Sequence, residues 1–100
     1  MSARKVKTED LKNEAKKLGR LISISYIAGE LYYHFYQGKI IAIRVRPEEK
    51  TVDSLVELFP NAGVMERELH DFFGIVFKGN PRLKEKLFIS DDTIGPVRGG

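Results

Sequence analysis

The 100-residue chain contains no cysteine. That excludes disulfides, thiolate-held iron–sulfur clusters and cysteine-type zinc sites. It contains two histidines, His34 and His70. His70 lies one helical turn after Glu66, so both can face one point, but a dedicated metal site needs more ligands. No apolar run approaches the ~20 residues that a spanning helix needs, and no signal-peptide pattern opens the chain. Asn and Gln are scarce while Lys, Glu and Ile are plentiful, a balance that leans toward a thermophilic source. These absences describe a soluble, intracellular domain expected to bind no cofactor and no metal.

What is present suggests one domain, residues 1–89, followed by a polar, Gly-rich and flexible tail, residues 90–100. The formal net charge is +3. Residues 1–20 hold seven Lys/Arg and three Asp/Glu, and the remaining eighty hold ten and eleven. The excess positive charge therefore belongs to the N-terminal segment. It suits a solvated helix face, and it also suits an acidic partner or nucleic acid.

Thr8 is placed to cap a helix running to about Leu18, with a thin stripe of Leu11, Ala15 and Leu18 and Gly19 as the stop. The narrow stripe predicts weak packing. Three alternating runs follow. Leu21–Ile27 is expected to direct Ile22, Ile24 and Tyr26 to one face. Glu30–Gln37 separates Leu31, Tyr33 and Phe35 from Tyr32, His34 and Tyr36. Ile40–Val45 separates Ile41, Ile43 and Val45 from Ala42, Arg44 and Arg46. Short turns at Ala28-Gly29 and Gly38 make these an antiparallel meander. Thr51 is then expected to cap a helix with Val52, Leu55, Val56 and Phe59 inward. The fold class predicted is α+β: an antiparallel sheet of three strands, or four with Ile75–Phe77, and helices on one face. Leu83–Ile89 is expected to add a short element.

The densest stretch is Glu66–Leu83. Met65, Leu69, Phe72 and Phe73 fall at helical spacing, with Glu66, Arg67, Glu68, His70 and Asp71 around them. Gly74 is expected to stop the helix at positive φ, allowing Ile75 to return toward Leu69. A turn, Lys78-Gly79-Asn80-Pro81, closes the run. Glu66 and Glu68 point to different sides of a helix, which argues against a catalytic carboxylate set, while Arg67 can pair with Asp71.

The run Glu66-Arg67-Glu68, Asp71-Phe72-Phe73-Gly74-Ile75, Phe77, Gly79, Pro81 and Leu83 resembles the signature of the 30 kDa subunit of respiratory complex I. Relatives of that family occur in membrane-bound energy-converting hydrogenases. Ser54-Leu55, Leu58-Phe59-Pro60 and Ala62 resemble its lead-in. Two positions depart: Asn80 stands where the family usually has histidine, and Lys86 where it has an apolar residue. The resemblance implies a cofactor-free, non-catalytic accessory subunit in the hydrophilic arm of a complex-I-like membrane redox complex, an NADH or other donor:quinone oxidoreductase or an energy-converting hydrogenase, with the short chain and Asn80 leaning toward the hydrogenase-like branch. It implies docking on a large (49 kDa-like) subunit beside an Fe–S small subunit, at the cytoplasmic, inner face of the cell membrane. Contact with the membrane would come only through the complex, and no nucleic acid is expected. Glu66, Arg67, Glu68, Asp71, Gly74, Phe77, Gly79, Pro81 and Leu83 are the family-motif residues expected to order the stretch and meet the partner.

Two other readings come from the residues themselves. Tyr32, His34 and Tyr36 share a strand face near Arg44 and Arg46, as single-stranded RNA-binding sheets require. Against it, the stacking motif of the common RNA-binding domain is absent. The terminal Gly99-Gly100 resembles a sulfur-carrier tail, but those folds begin with a hairpin and this chain is expected to begin with a helix.

Overall fold

The computed structural model describes residues 3–84. The expected tail, Gly99-Gly100, Lys86 and most of the Leu83–Ile89 element lie outside the described residues.

The chain begins with strand β1 (Arg4–Val6), a 3-10 turn (Thr8–Asp10) and helix α1 (Leu11–Ala15). Strands β2 (Arg20–Ile27), β3 (Glu30–Tyr36) and β4 (Ile40–Val45) follow, then β5 (Thr51–Asp53), helix α2 (Ala62–Phe73), β6 (Val76–Lys78) and a 3-10 turn (Pro81–Lys84). The main sheet has the order β1-β4-β3-β2. β2, β3 and β4 form the expected antiparallel meander. The fourth strand is β1, parallel to β4 and taken from the segment before α1. The run expected as a fourth strand instead supplies β6, which pairs in parallel with β5 in a separate two-stranded sheet. Parallel pairing requires a long crossover, and α2 provides it.

Alternation places the side chains of the meander. Leu31, Tyr33 and Phe35 of β3, with Ile43 and Val45 of β4, are fully buried. They meet Leu11 and Ala15 of α1 and Ala62 and Leu69 of α2 in one core. Burying such side chains stabilises by roughly 1.5–3 kcal/mol each. The β2–β3 turn holds Ala28 and Gly29 at φ 52° and 83°, the left-handed pair that matches strand twist in a two-residue hairpin. Gly19 is needed for space, since a β-carbon there would run into the Tyr36 carbonyl oxygen.

Four further expectations fail, each for a physical reason. The helix from Thr8 to Leu18 is cut to Leu11–Ala15, and Thr8 opens a 3-10 turn with no side-chain cap. Leu11 and Ala15 of its stripe are nonetheless fully buried, because they join Val6 and the sheet residues in the core, with Leu18 packed half-buried against it. In β2 the pairing shifts between Leu21 and Ser23. This bulge puts one extra residue, Ile22, on the strand, so Leu21 enters the core with Ile24 and Tyr26 while Ile22 is exposed. Thr51 does not start a helix. Val52 pairs with Phe77 across the β5–β6 ladder, and only a single turn forms at Leu55, whose carbonyl accepts from the Leu58 and Phe59 amides. Helical spacing misled here because an extended Val52 and a turn at Leu55 reach the same core. Finally, α2 starts at Ala62 and buries Ala62, Gly63, Glu66 and Leu69, while Phe72 stands 82% exposed. The helix is thus rotated relative to the expected stripe, and a carboxylate occupies a core position.

Candidate functional site

Glu66 is completely buried. A bare carboxylate there would be prohibitive, and three donors converge on it. The Ser54 hydroxyl donates to Oε1 at 2.6 Å, the Asn80 side-chain amide to the same oxygen at 2.9 Å, and the Leu55 amide to Oε2 at 2.9 Å. Burial raises its pKa above the ordinary glutamate value, and the hydrogen bonds from Leu55, Ser54 and Asn80 work against that rise. Asn80 extends the network, donating to the Gly63 carbonyl at 3.2 Å and accepting from the Arg82 amide at 2.8 Å. Ser54 in turn accepts from the Val56 amide at 3.0 Å. One side chain therefore ties the loop after β5, helix α2 and the turn after β6. The buried Tyr33 hydroxyl has no hydrogen-bond partner among the described residues; burial, and then the charge of Glu66, push its pKa well up.

The end of α2 is fixed separately. Gly74 lies at φ 74°, in the left-handed region, as the sequence predicts, and Ile75 returns to the core. The Gly74 amide donates to the His70 carbonyl at 2.8 Å, and His70 Nδ1 lies 2.8 Å from the Ile75 carbonyl. Lys50 Nζ donates to the Phe73 carbonyl at 3.0 Å. That lysine reaches the helix end from a turn in which Glu49 and Lys50 both have positive φ, a costly conformation for residues with side chains.

The other motif residues divide by position. Phe77 is core and Leu83 packs on it half-buried. Gly79, at φ 94°, supplies backbone freedom for the turn into exposed Pro81. Arg67, Glu68 and Asp71 line the outer side of α2. Arg67 is largely buried and makes an ion pair with Asp71 at 3.4 Å. Its Nη1 also donates to the Arg82 carbonyl at 2.8 Å, so the turn after Asn80 completes the group. Glu68 is exposed, and Phe72 projects beside this charged group. The Phe72 ring lies 6.4 Å from Phe73, which lies 5.1 Å from Tyr26. The surface thus combines fixed charges with an exposed aromatic, the mixture typical of docking patches.

Glu66 and His70 are not brought together as a ligand pair, since the Glu66 oxygens are taken by the three donors. Among the described residues no cluster of three or more His, Asp or Glu could hold a metal, and no helix is long and apolar enough to cross a membrane. The sequence reading missed Ser54 and Lys50 as partners. Asn80 was visible as a departure from the family pattern, and its amide is what reaches Glu66.

On the opposite side of the main sheet, no described helix covers the residues facing outward. One register row holds Ser25, Tyr32, Arg44 and Lys5, and the next holds Ser23, His34 and Ala42. Glu30 binds Arg44 at 3.2 Å and Arg46 at 3.8 Å.

A model of the family described as respiratory-chain NADH dehydrogenase, 30 Kd subunit, matches residues 5–99. A protein of Herpetosiphon aurantiacus named as a subunit of NADH-quinone oxidoreductase is 33% identical over 87 residues, covering 78% of this chain and 50% of that protein. The corresponding NADH-quinone oxidoreductase protein of Roseiflexus castenholzii is 37% identical over 90 residues, covering 81% and 52%. The chain therefore spans about half the length of these relatives. Among solved structures, the trypsin-resistant fragment of Nqo5 superposes with a TM-score of 0.69 at 23% identity, covering 77% of this chain and 78% of that one. A chain of the membrane-bound sulfane sulfur reductase, an archaeal respiratory membrane complex, gives 0.67 at 16% identity, covering 97% and 75%. At such identities the two structures speak for the α+β fold. Taken with the signature Glu66–Leu83, the match over nearly the whole chain places this protein in the family of the 30 kDa subunit of respiratory-chain NADH dehydrogenase.

Proposed function

We propose that the chain is an accessory subunit of a complex-I-like membrane redox complex, contributing structure and no redox centre of its own. It docks on a large, 49 kDa-like subunit next to an Fe–S small subunit, on the inner face of the cell membrane. The observation that carries this reading is the outer side of α2. Phe72 stands in solvent beside Glu68 and the Arg67–Asp71 pair, while Glu66 on the inner side locks the helix in place. An exposed phenylalanine on a rigid helix is costly for a free protein and useful at an interface. The relatives named for NADH-quinone oxidoreductase favour a quinone oxidoreductase; the energy-converting hydrogenase branch is the alternative within the same reading.

The test is to tag the chain, isolate it from its native membrane in mild detergent and identify the proteins that accompany it. The reading expects stoichiometric recovery of a large subunit and a cysteine-rich small subunit, with the iron held in the neighbours. Recovery of the tagged chain alone, or with nucleic acid, would overturn it.

A further inference from the structure

We propose that the face of the main sheet that no described helix covers is a second docking surface and that its occupant is an acidic protein surface, a patch of Asp and Glu side chains on a neighbouring subunit. This rests on the subunit reading above and adds to it a face and a chemistry.

The first support is charge. Lys5, Arg20, Arg44 and Arg46 lie on or at the rim of this face; among the described residues Glu30 is the carboxylate paired with Arg44 and Arg46, and Glu9 and Glu48 line a pocket with Lys5 and Arg46 at its edge. Tyr36 pairs in register with Arg20, and Arg44 with Lys5. Lys5 and Arg20 are exposed and make no ion pair among the described residues. The second support is preorganisation. Glu30, itself buried, holds Arg44 and Arg46 at 3.2 and 3.8 Å, so two guanidinium groups are positioned before any partner arrives. Carboxylates are the protein groups that guanidinium groups recognise best, and a preset donor loses less freedom on binding.

A nucleic acid fits the same face less well. The Tyr32 hydroxyl is turned toward Glu30 at 3.5 Å. Of the three rings on this side of β3, only Tyr36 is exposed, whereas single-strand binding uses successive rings.

The experiment uses the tagged chain in its assembled complex. Zero-length carbodiimide coupling followed by peptide mass spectrometry reads which carboxylates touch Lys5. In parallel, the double variant Lys5→Glu/Arg20→Glu is expressed, and its recovery in the complex is compared with wild type at low salt. The expected result is a Lys5 link to Asp or Glu of a partner subunit and at least a tenfold fall in recovery, with an unchanged melting temperature of the free variant. If the complex is recovered but Lys5 gives no partner link and the variant assembles normally, the sheet-face proposal is wrong while the subunit reading stands. If no complex is recovered at all, the reading fails and the proposal falls with it. A gel shift of labelled oligouridylate by the wild-type chain that Tyr36→Ala abolishes would also overturn it, in favour of RNA.

Discussion

The meander β2–β4 and the β5–α2–β6 unit are held together in different ways. In the meander, neighbours in sequence are neighbours in space, and each strand buries a column of apolar side chains. Its stability is spread over many similar contacts. The β5–α2–β6 unit has two three-residue strands paired in parallel, too few ladder bonds to persist alone. It depends on one buried carboxylate joining three segments 11 to 14 residues apart. Spread hydrophobic burial tolerates the loss of a part. A polar knot does not, because removing one member leaves the others unsatisfied in the interior.

The sharpest way to break the comparison is Glu66→Ala. It strands the Leu55 amide, the Asn80 side chain and the Ser54 hydroxyl and leaves a cavity, and we expect a loss of about 3–5 kcal/mol. Amide hydrogen exchange should show β5, α2 and β6 opening while the meander stays protected. Uniform loss of protection would mean that the two regions are one cooperative unit.

Gly19→Ala strikes the meander at a point. The new β-carbon meets backbone, the Tyr36 carbonyl, which has no rotamer to escape into. A loss of about 1–3 kcal/mol in denaturant unfolding is expected; a neutral result would show that the α1–β2 connection can shift.

Next in size is Gly74→Ala, at about 1 kcal/mol, because alanine disfavours the left-handed conformation observed there. The space around Gly74 is open, so the effect should be one of backbone alone. Gly74→Asn, which tolerates that conformation better, should recover part of it. An alanine variant as stable as wild type would refute this.

A smaller effect is pH dependence. The Glu66 pKa is raised chiefly by burial. Its contribution to stability is therefore fully present below the ordinary glutamate pKa and is lost as pH rises through the folded value. Glu14 has the opposite sign: the hydrogen bond from Arg4 and the charge of Lys17 lower its pKa. Its contribution is present above the ordinary value and is lost as pH falls through the folded one. Comparing wild type with Glu66→Gln across the acidic range isolates the first of these. The penalty of the substitution should shrink as pH rises, and a growing penalty would contradict the assignment.

The same division explains what the sequence made legible. Period-two alternation marked β3 and β4 and both their faces, because a strand exposed on one side has to alternate. Gly74 was readable because few residues other than glycine end a helix in that way. Ile22 was misplaced because a one-residue bulge leaves the composition of the strand unchanged while inverting its faces. Val52–Phe59 read as a helix because strand and helix patterns cannot be separated over so short an apolar run. In α2, Glu66 was assigned to the surface since a glutamate is rarely buried. The donors that make it tolerable come from Ser54, Leu55 and Asn80, and no local pattern announces such a meeting. The motif pointed to the right stretch of chain, but only packing separates its inward residues, Glu66 and Phe77, from its outward ones, Glu68, Asp71 and Phe72.

Glu66 holds α2 from within, and in the proposed function this leaves its outer side to dock. Phe72→Asp tests it most directly, because this side chain is 82% exposed and has no share in the core. The account predicts that the free domain changes in stability by no more than about 0.5 kcal/mol. Recovery of the variant in the native complex, in competition with wild type, should fall at least tenfold. Equal incorporation of Phe72→Asp and wild type would contradict the account.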